Sequence, residues 1–171
     1  QLGRLLESLL AVAGITSESM VRDATWAFIQ AGARLERAMT TAALLRLTLG
    51  FPGAPLVEGQ VAESVLSACE SIITHRRRAA SGFGPTDPAQ SAVAILALDP
   101  SNPRSVAYQV AELQRALTLI DDAEPQADLD LLAAQLHPDR VDDIFADERK
   151  PLRDLLSQVE TTLRITSEDI A

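Results

Sequence analysis

The feature that most restricts the fold is a seven-residue repeat in the first third of the chain. Val21, Phe28, Leu35, Ala42 and Leu49 share one register, and Ala24, Ala31, Ala38 and Leu45 share a second. Two apolar positions per heptad draw a continuous seam along one side of an α-helix. Thr16 or Ser17 offers a cap before the repeat, and Gly50, Phe51 and Pro52 form a stop after it. The segment between them predicts a helix of roughly 30 residues, about 45 Å long. Its other side is also apolar, through Trp26, Ile29, Ala33, Ala43, Leu44 and Leu47. A helix apolar on more than one side is enclosed by neighbours. The expectation is therefore an all-α, multi-helix bundle with a long central helix, rather than a two-stranded coiled coil.

The rest of the chain supplies helices to enclose it. Leu2, Leu5, Leu6, Leu9, Leu10 and Ala13 share one side of a helix over residues 2–13, with Gly14 as its stop. The turn-rich "FPGAPLVEG" leads to a third helix over 57–79, with Val61, Val65, Ala68, Cys69 and Ile72 inward. A fourth runs from Pro88 to Leu98 behind Thr86 or Asp87 as cap. In "LDPSNPRSVAYQV", Asn102 is the expected N-cap and Pro103 the first helical residue of a helix reaching Ile120. "DDAEPQAD" reads as an acidic linker, followed by shorter helices at 127–136, 139–147 and 151–166. Nothing reads as a strand. Residues 1–171 form a single helical domain. Because "QLGRLLESLLAVAG" opens inside an amphipathic pattern, the chain is expected to be a fragment of a longer polypeptide.

Hydrophobic residues make up 47 % of the chain and aromatic ones only 4 %, a balance that suits helix packing over sheets. The net charge is −9. Residues 1–85 carry +1 and residues 86–171 carry −10. An acidic second half disfavours nucleic acid as a partner, since that needs a basic footprint. No apolar run approaches the ~20 residues of a membrane span. The one cysteine, Cys69, is expected to be a buried structural thiol. His75 and His137 stand apart, no His, Cys or carboxylate spacing builds a metal site, and no nucleophilic triad or acid–base pair is identifiable. We therefore expect no metal, no cofactor, no catalytic residue and no activity of the domain on its own.

One cluster interrupts the apolar helix. Arg34, Glu36 and Arg37 lie in "RLER", and the positions three and four residues from Glu36 are Gly32, Ala33, Met39 and Thr40. Arg34 and Arg37 likewise find no acid at those spacings, so partners must come from other helices. Arg76, Arg77, Arg78 and Arg104 are candidates for Glu36, and Glu63, Glu70 and Asp99 for the arginines. The expectation is a partly buried inter-helix Glu–Arg network. In one reading it fixes helix register. In the other, guanidinium groups line a pocket for a carboxylate or phosphate. "HRRR" at 75–78 reads either as basic complement to a helix C-terminus or as an anion site, and "SNPRS" either as a helix start at Asn102 or as a helix N-terminus holding an anion with Arg104 and Ser105.

"WAFIQAGARLERAMTTAALLR", "ITHRRR" and "LDPSNPRSVAYQVAELQRAL" together resemble the bacterial alpha-E domain family, named for its helical nature and its Glu-Arg motif. The motif falls here on Glu36-Arg37, and the resemblance spans residues 9–120. Members carry an earlier Leu-Glu-Arg-Ala helix that this chain lacks, so the resemblance is to the C-terminal portion. The family implies a context: alpha-E domains occur beside or fused to ATP-grasp-type amide or peptide ligases, and with transglutaminase-like proteins. The resemblance thus implies a cytoplasmic, non-catalytic accessory domain of a peptide synthesis or modification system, partnered by an ATP-grasp-type ligase. Two alternatives stand beside it: a small-molecule or anion-binding enzyme domain using the Arg/Glu cluster, and a structural dimerisation module.

Overall fold

The computed structural model describes residues 2–120 and 124–170. Nine α-helices occur among them, with no strand: α1 Leu2–Glu18, α2 Ala24–Leu49, α3 Pro55–Ala68, α4 Ile72–Ala80, α5 Pro88–Val93, α6 Val106–Leu117, α7 Glu124–Gln135, α8 Val141–Phe145 and α9 Lys150–Asp169. The all-α bundle with a long central helix is thereby realised. The expected "DDAEPQAD" linker falls partly on residues outside the described set.

The heptad seam is the reason α2 is central. Ala31, Ala38, Ala42, Leu45 and Leu49 are at most 1 % exposed. The three alanines let α6 and α9 approach α2 closely, and α3 packs on α2 as well. Leu113 and Leu117 of α6, and Leu152, Leu156, Val159 and Leu163 of α9, close the same core. Arg46 of α2 clamps Glu160 of α9 in two parallel bonds, Nε to Oε1 at 2.7 Å and Nη2 to Oε2 at 3.2 Å.

Several local expectations are corrected. Gly14 does not stop the first helix, which continues to Glu18, and Thr16 Oγ1 donates to the Val12 carbonyl inside it. Gly14 never takes a left-handed backbone, so it acts only as a weak helix residue, costing about 1 kcal/mol. The cap of α2 is Asp23, whose Oδ1 accepts from Trp26 N–H at 3.0 Å. The alternative cap Ser17 has a side chain outside the described set. The expected 57–79 helix is two, broken at Cys69–Ser71 where Glu70 turns left-handed at φ 53°. The seam of α2 also fails at its start: Val21 and Phe28 are exposed at 77 % and 45 %. Its outer side keeps Ile29, Ala33 and Leu47 in solvent, because no helix covers them.

Helix α1 has no such cover either. Leu2, Leu5, Leu6, Leu9, Leu10, Val12 and Ile15 are each at least 58 % exposed. What anchors its end is a bond from Trp26 Nε1 to the Thr16 carbonyl at 3.2 Å.

A second ion pair, this one buried, ties the start of α9 to the α2–α3 connection. Arg149 is 7 % exposed and reaches back to the α2–α3 connection. Its Nη1 donates to the Leu49 and Phe51 carbonyls at 3.2 and 3.3 Å, and its Nη2 meets Glu58 Oε2 at 2.8 Å. The guanidinium also lies 4.7 Å from the centre of the Phe145 ring. The backbone bends sharply to deliver it: Asp147, Glu148 and Arg149 all have positive φ, at 46°, 49° and 61°. Burial raises the Glu58 pKa, but hydrogen bonds from Arg149 and Gly53 and the Arg149 charge outweigh it and hold the carboxyl below its ordinary 4.5.

Two measurements follow from this packing. Leu45→Ala, at a fully buried seam position, should cost about 2–5 kcal/mol in urea unfolding, whereas Leu47→Ala, at 72 % exposure, should stay within about 0.5 kcal/mol. For the Arg149 clasp, a depressed folded pKa means the stabilisation is present above the unfolded value and is lost as pH falls through the folded one. Glu58→Gln should therefore cost roughly 1–3 kcal/mol at pH 7. The gap to the parent should narrow progressively as the pH drops below about 4.5, read by paired urea titrations.

Candidate functional site

A cleft of about 430 Å³ opens between α2 and the α3–α4 junction. Glu36, Arg37 and Thr41 of α2 form one wall, Cys69 and Glu70 another, and Arg104 closes it. Each wall has a local cause. Arg37 and Thr41 are one helical turn apart, so they share a face. The opposite wall is set by how α3 ends. The Ser71 N–H donates to the Leu66 carbonyl at 2.7 Å and the Glu70 N–H to the Ser67 carbonyl at 3.1 Å, a Schellman closure. The left-handed residue of such a closure is usually glycine, and here it is Glu70. Its side chain pairs with the Arg104 guanidinium.

Arg104 is positioned by the segment between Asp99 and Ser105. Asp99 Oδ1 accepts from the Ser101 N–H at 2.8 Å and its hydroxyl at 2.7 Å, and Oδ2 from Arg78. Burial raises the Asp99 pKa, but these bonds and the Arg78 charge bring it below the usual carboxylate range. Asn102 is buried and is not a helix cap, contrary to expectation. Its Nδ2 donates to Ser71 Oγ at 3.3 Å and the Ile95 carbonyl at 2.9 Å, and its Oδ1 accepts from the Arg104 N–H at 3.1 Å. Residues 94–98 wind as a π-helix just before this segment. The cap of α6 is Ser105, whose Oγ accepts from the Tyr108 N–H at 3.0 Å and donates to the Asp99 carbonyl. Both Asn102 and Ser105 are capping residue types, and Ser105 wins because Asn102 is needed inside the turn.

The expected Glu–Arg network on α2 does not form: none of the anticipated partners of Arg34, Glu36 or Arg37 reaches them, and Arg104 and Arg78 pair instead with Glu70 and Asp99. Glu36 is exposed, with no ion pair or hydrogen bond among the described residues. Arg37 likewise makes none. Burial pulls its pKa down, the Arg104 and Arg34 charges add to this, and Glu36 and Glu70 only partly offset it. Arg34 turns toward α6, where it donates to Gln109 Oε1 at 3.3 Å and Gln30 Oε1 at 3.0 Å. Its Nε is buried without a partner among the described residues. Arg78 pairs with Asp99 and faces a second cleft of about 700 Å³. Arg76 and Arg77 are exposed and take no part in either cluster. Cys69 is half-buried on the cleft wall, and burial pushes its thiol pKa up, the opposite of what a nucleophile needs.

Thr41 was not singled out by sequence. It is 6 % exposed, lines the cleft, and its hydroxyl makes no hydrogen bond among the described residues. On the same helix, Thr48 returns its hydroxyl to the Leu44 carbonyl at 2.6 Å. The Arg149–Glu58 clasp was also missed. The signal was a second Glu-Arg dipeptide, Glu148-Arg149, directly before Lys150 and Pro151 at the start of α9. No group of three or more His, Cys, Asp or Glu suited to a metal occurs among the described residues. No described helix is long and apolar enough to cross a membrane.

Comparison with known proteins agrees with this architecture. A family model described as "a predicted alpha-helical domain with a conserved ER motif" matches residues 1–171, a wider span than the 9–120 that the motifs alone indicated. The chain is 31 % identical over 167 residues to uncharacterised proteins of Mycobacterium bovis and of two Mycobacterium tuberculosis strains, CDC 1551 / Oshkosh and ATCC 25618 / H37Rv. In each case the match covers 93 % of this chain and 18 % of the relative, so the chain spans under a fifth of their length. No solved structure matches. The chain belongs to the Alpha-E family of helical domains.

Proposed function

We propose that this Alpha-E domain is a non-catalytic accessory module that docks through α1 onto an ATP-grasp-type amide or peptide ligase, fused or separate. The observation that carries the docking is the uncovered apolar stripe of α1. Leu5, Leu6 and Leu9 are each 58 % exposed and Leu10 is 63 % exposed, on one helix. Scattered apolar side chains are normal on a surface, but a contiguous stripe of this kind marks an interface. An amphipathic helix laid into an apolar groove gains roughly 1.5–3 kcal/mol for each Leu it buries. The choice of a ligase as partner, and of the cytoplasm where ATP is supplied, rests on the resemblance to the family. The accessory, non-catalytic role rests on the same resemblance.

The test is co-purification of the chain with an ATP-grasp protein encoded beside it, together with ligase product measured with and without the domain. Co-elution, with a change in product, is expected. Leu5→Glu combined with Leu9→Glu should abolish both while leaving helix content intact, since neither side chain belongs to the core. Absence of co-elution with unchanged product would remove the reading. A concentration-dependent dimer in light scattering, dissolved by the same pair of changes, would assign the stripe to a second copy instead.

A further inference from the structure

We propose that the cleft over α2 binds a zwitterion: a free amino acid or short peptide, with its carboxylate on Arg37 and its ammonium on Glu36. The site stands on the cleft's own groups and owes nothing to a docked ligase. Four charged side chains line the cleft, two guanidinium groups and two carboxylates. Arg104 and Glu70 neutralise each other. That leaves Glu36 and Arg37, and neither has an ion pair or hydrogen bond among the described residues. They occupy consecutive helical positions, about 100° apart around the axis, so helix geometry keeps them from pairing with one another. A ligand carrying both signs can bridge them.

A simple oxyanion is a poorer fit. Phosphate would gain Arg37 but would stand between two carboxylates, and no excess of positive charge draws it in. A single carboxylate at Arg37 is better placed. That guanidinium is partly buried and makes no hydrogen bond among the described residues, so a bound carboxylate would supply the partner it lacks. Thr41, a largely buried residue, is one turn from Arg37 and lines the cleft, and its hydroxyl, which makes no hydrogen bond among the described residues, is open to donate to the same carboxylate. Ala33 and Ala68 provide small apolar walls for a side chain. The volume, about 430 Å³, suits a ligand of one or two residues.

The experiment is an amide-resolved NMR titration of the chain with L-alanyl-L-alanine, its N-acetyl form, its C-terminal amide and inorganic phosphate. The free dipeptide should shift the amides of residues 36, 37 and 41. Blocking either end should weaken binding at least about tenfold, equivalent to ~1.4 kcal/mol. Arg37→Gln should abolish binding of all carboxylates. Glu36→Gln should erase the preference for the free over the acetylated dipeptide while the carboxylate still binds. Circular dichroism of both variants should match the parent, since both side chains lie outside the core. Equal binding of the acetylated dipeptide or of phosphate by the parent would reduce the site to an anion pocket and overturn the proposal. So would the absence of any shift at millimolar dipeptide in a chain with its native helical spectrum.

Discussion

The bundle depends on how close two helices can come to α2. Ala31, Ala38 and Ala42 present almost no side chain, so the backbones of α6 and α9 settle against this rod where longer residues would hold them off. Dispersion contacts fall off within an ångström, so this closeness is what makes the core dense. The same choice has a cost on the outside. With α6, α9 and α3 packed on α2, the remaining side of the helix leaves Phe28, Ile29, Ala33 and Leu47 exposed. The cleft is part of that bare face, and its charged residues stand on a helix whose inner side is rigidly held.

Rigidity is continued on the far wall by two local devices. A left-handed residue other than glycine costs on the order of 1 kcal/mol, and Glu70 accepts that cost. Glycine there would relax the backbone but would leave Arg104 without its carboxylate. The Asp99–Ser105 segment is fastened from below by Asn102 and Ser105, and from the side by Gln109, whose Nε2 donates to the Pro103 carbonyl at 2.5 Å. Because Gln109 also accepts from Arg34, the RLER segment and the segment carrying Arg104 are linked through one buried amide.

Periodicity made the architecture legible and tertiary competition hid the details. The heptad positions from Ala31 to Leu49 are the core, and Val106, Val110, Leu113 and Leu117 of α6 are buried at helical spacing. Asp87 caps α5, accepting from the Gln90 N–H at 2.8 Å. What failed were choices between chemically similar residues. Asn102 and Ser105 both suit a cap, and only the neighbouring Ser71 and Ile95 decide between them. The charged cluster was legible as residues without an opposite charge on their own helix, although Arg34 does find the Gln30 amide there. Which ones would find partners elsewhere was not, because this depends on the direction each α2 face takes: Arg34 toward Gln109, Glu36 and Arg37 into the open cleft.

The Arg149 clasp bears on how the chain is made. Its bonds to Leu49, Phe51 and Glu58 span 100, 98 and 91 positions. During synthesis on a ribosome, the connection between α2 and α3 emerges long before the side chain that fastens it. Until position 149 leaves the exit tunnel, the two carbonyls have only water, and α2 lacks α9 along much of its seam. The nascent segment ahead of position 149 would therefore hold helices without a closed core, and consolidation would wait for Arg149 and α9 to arrive.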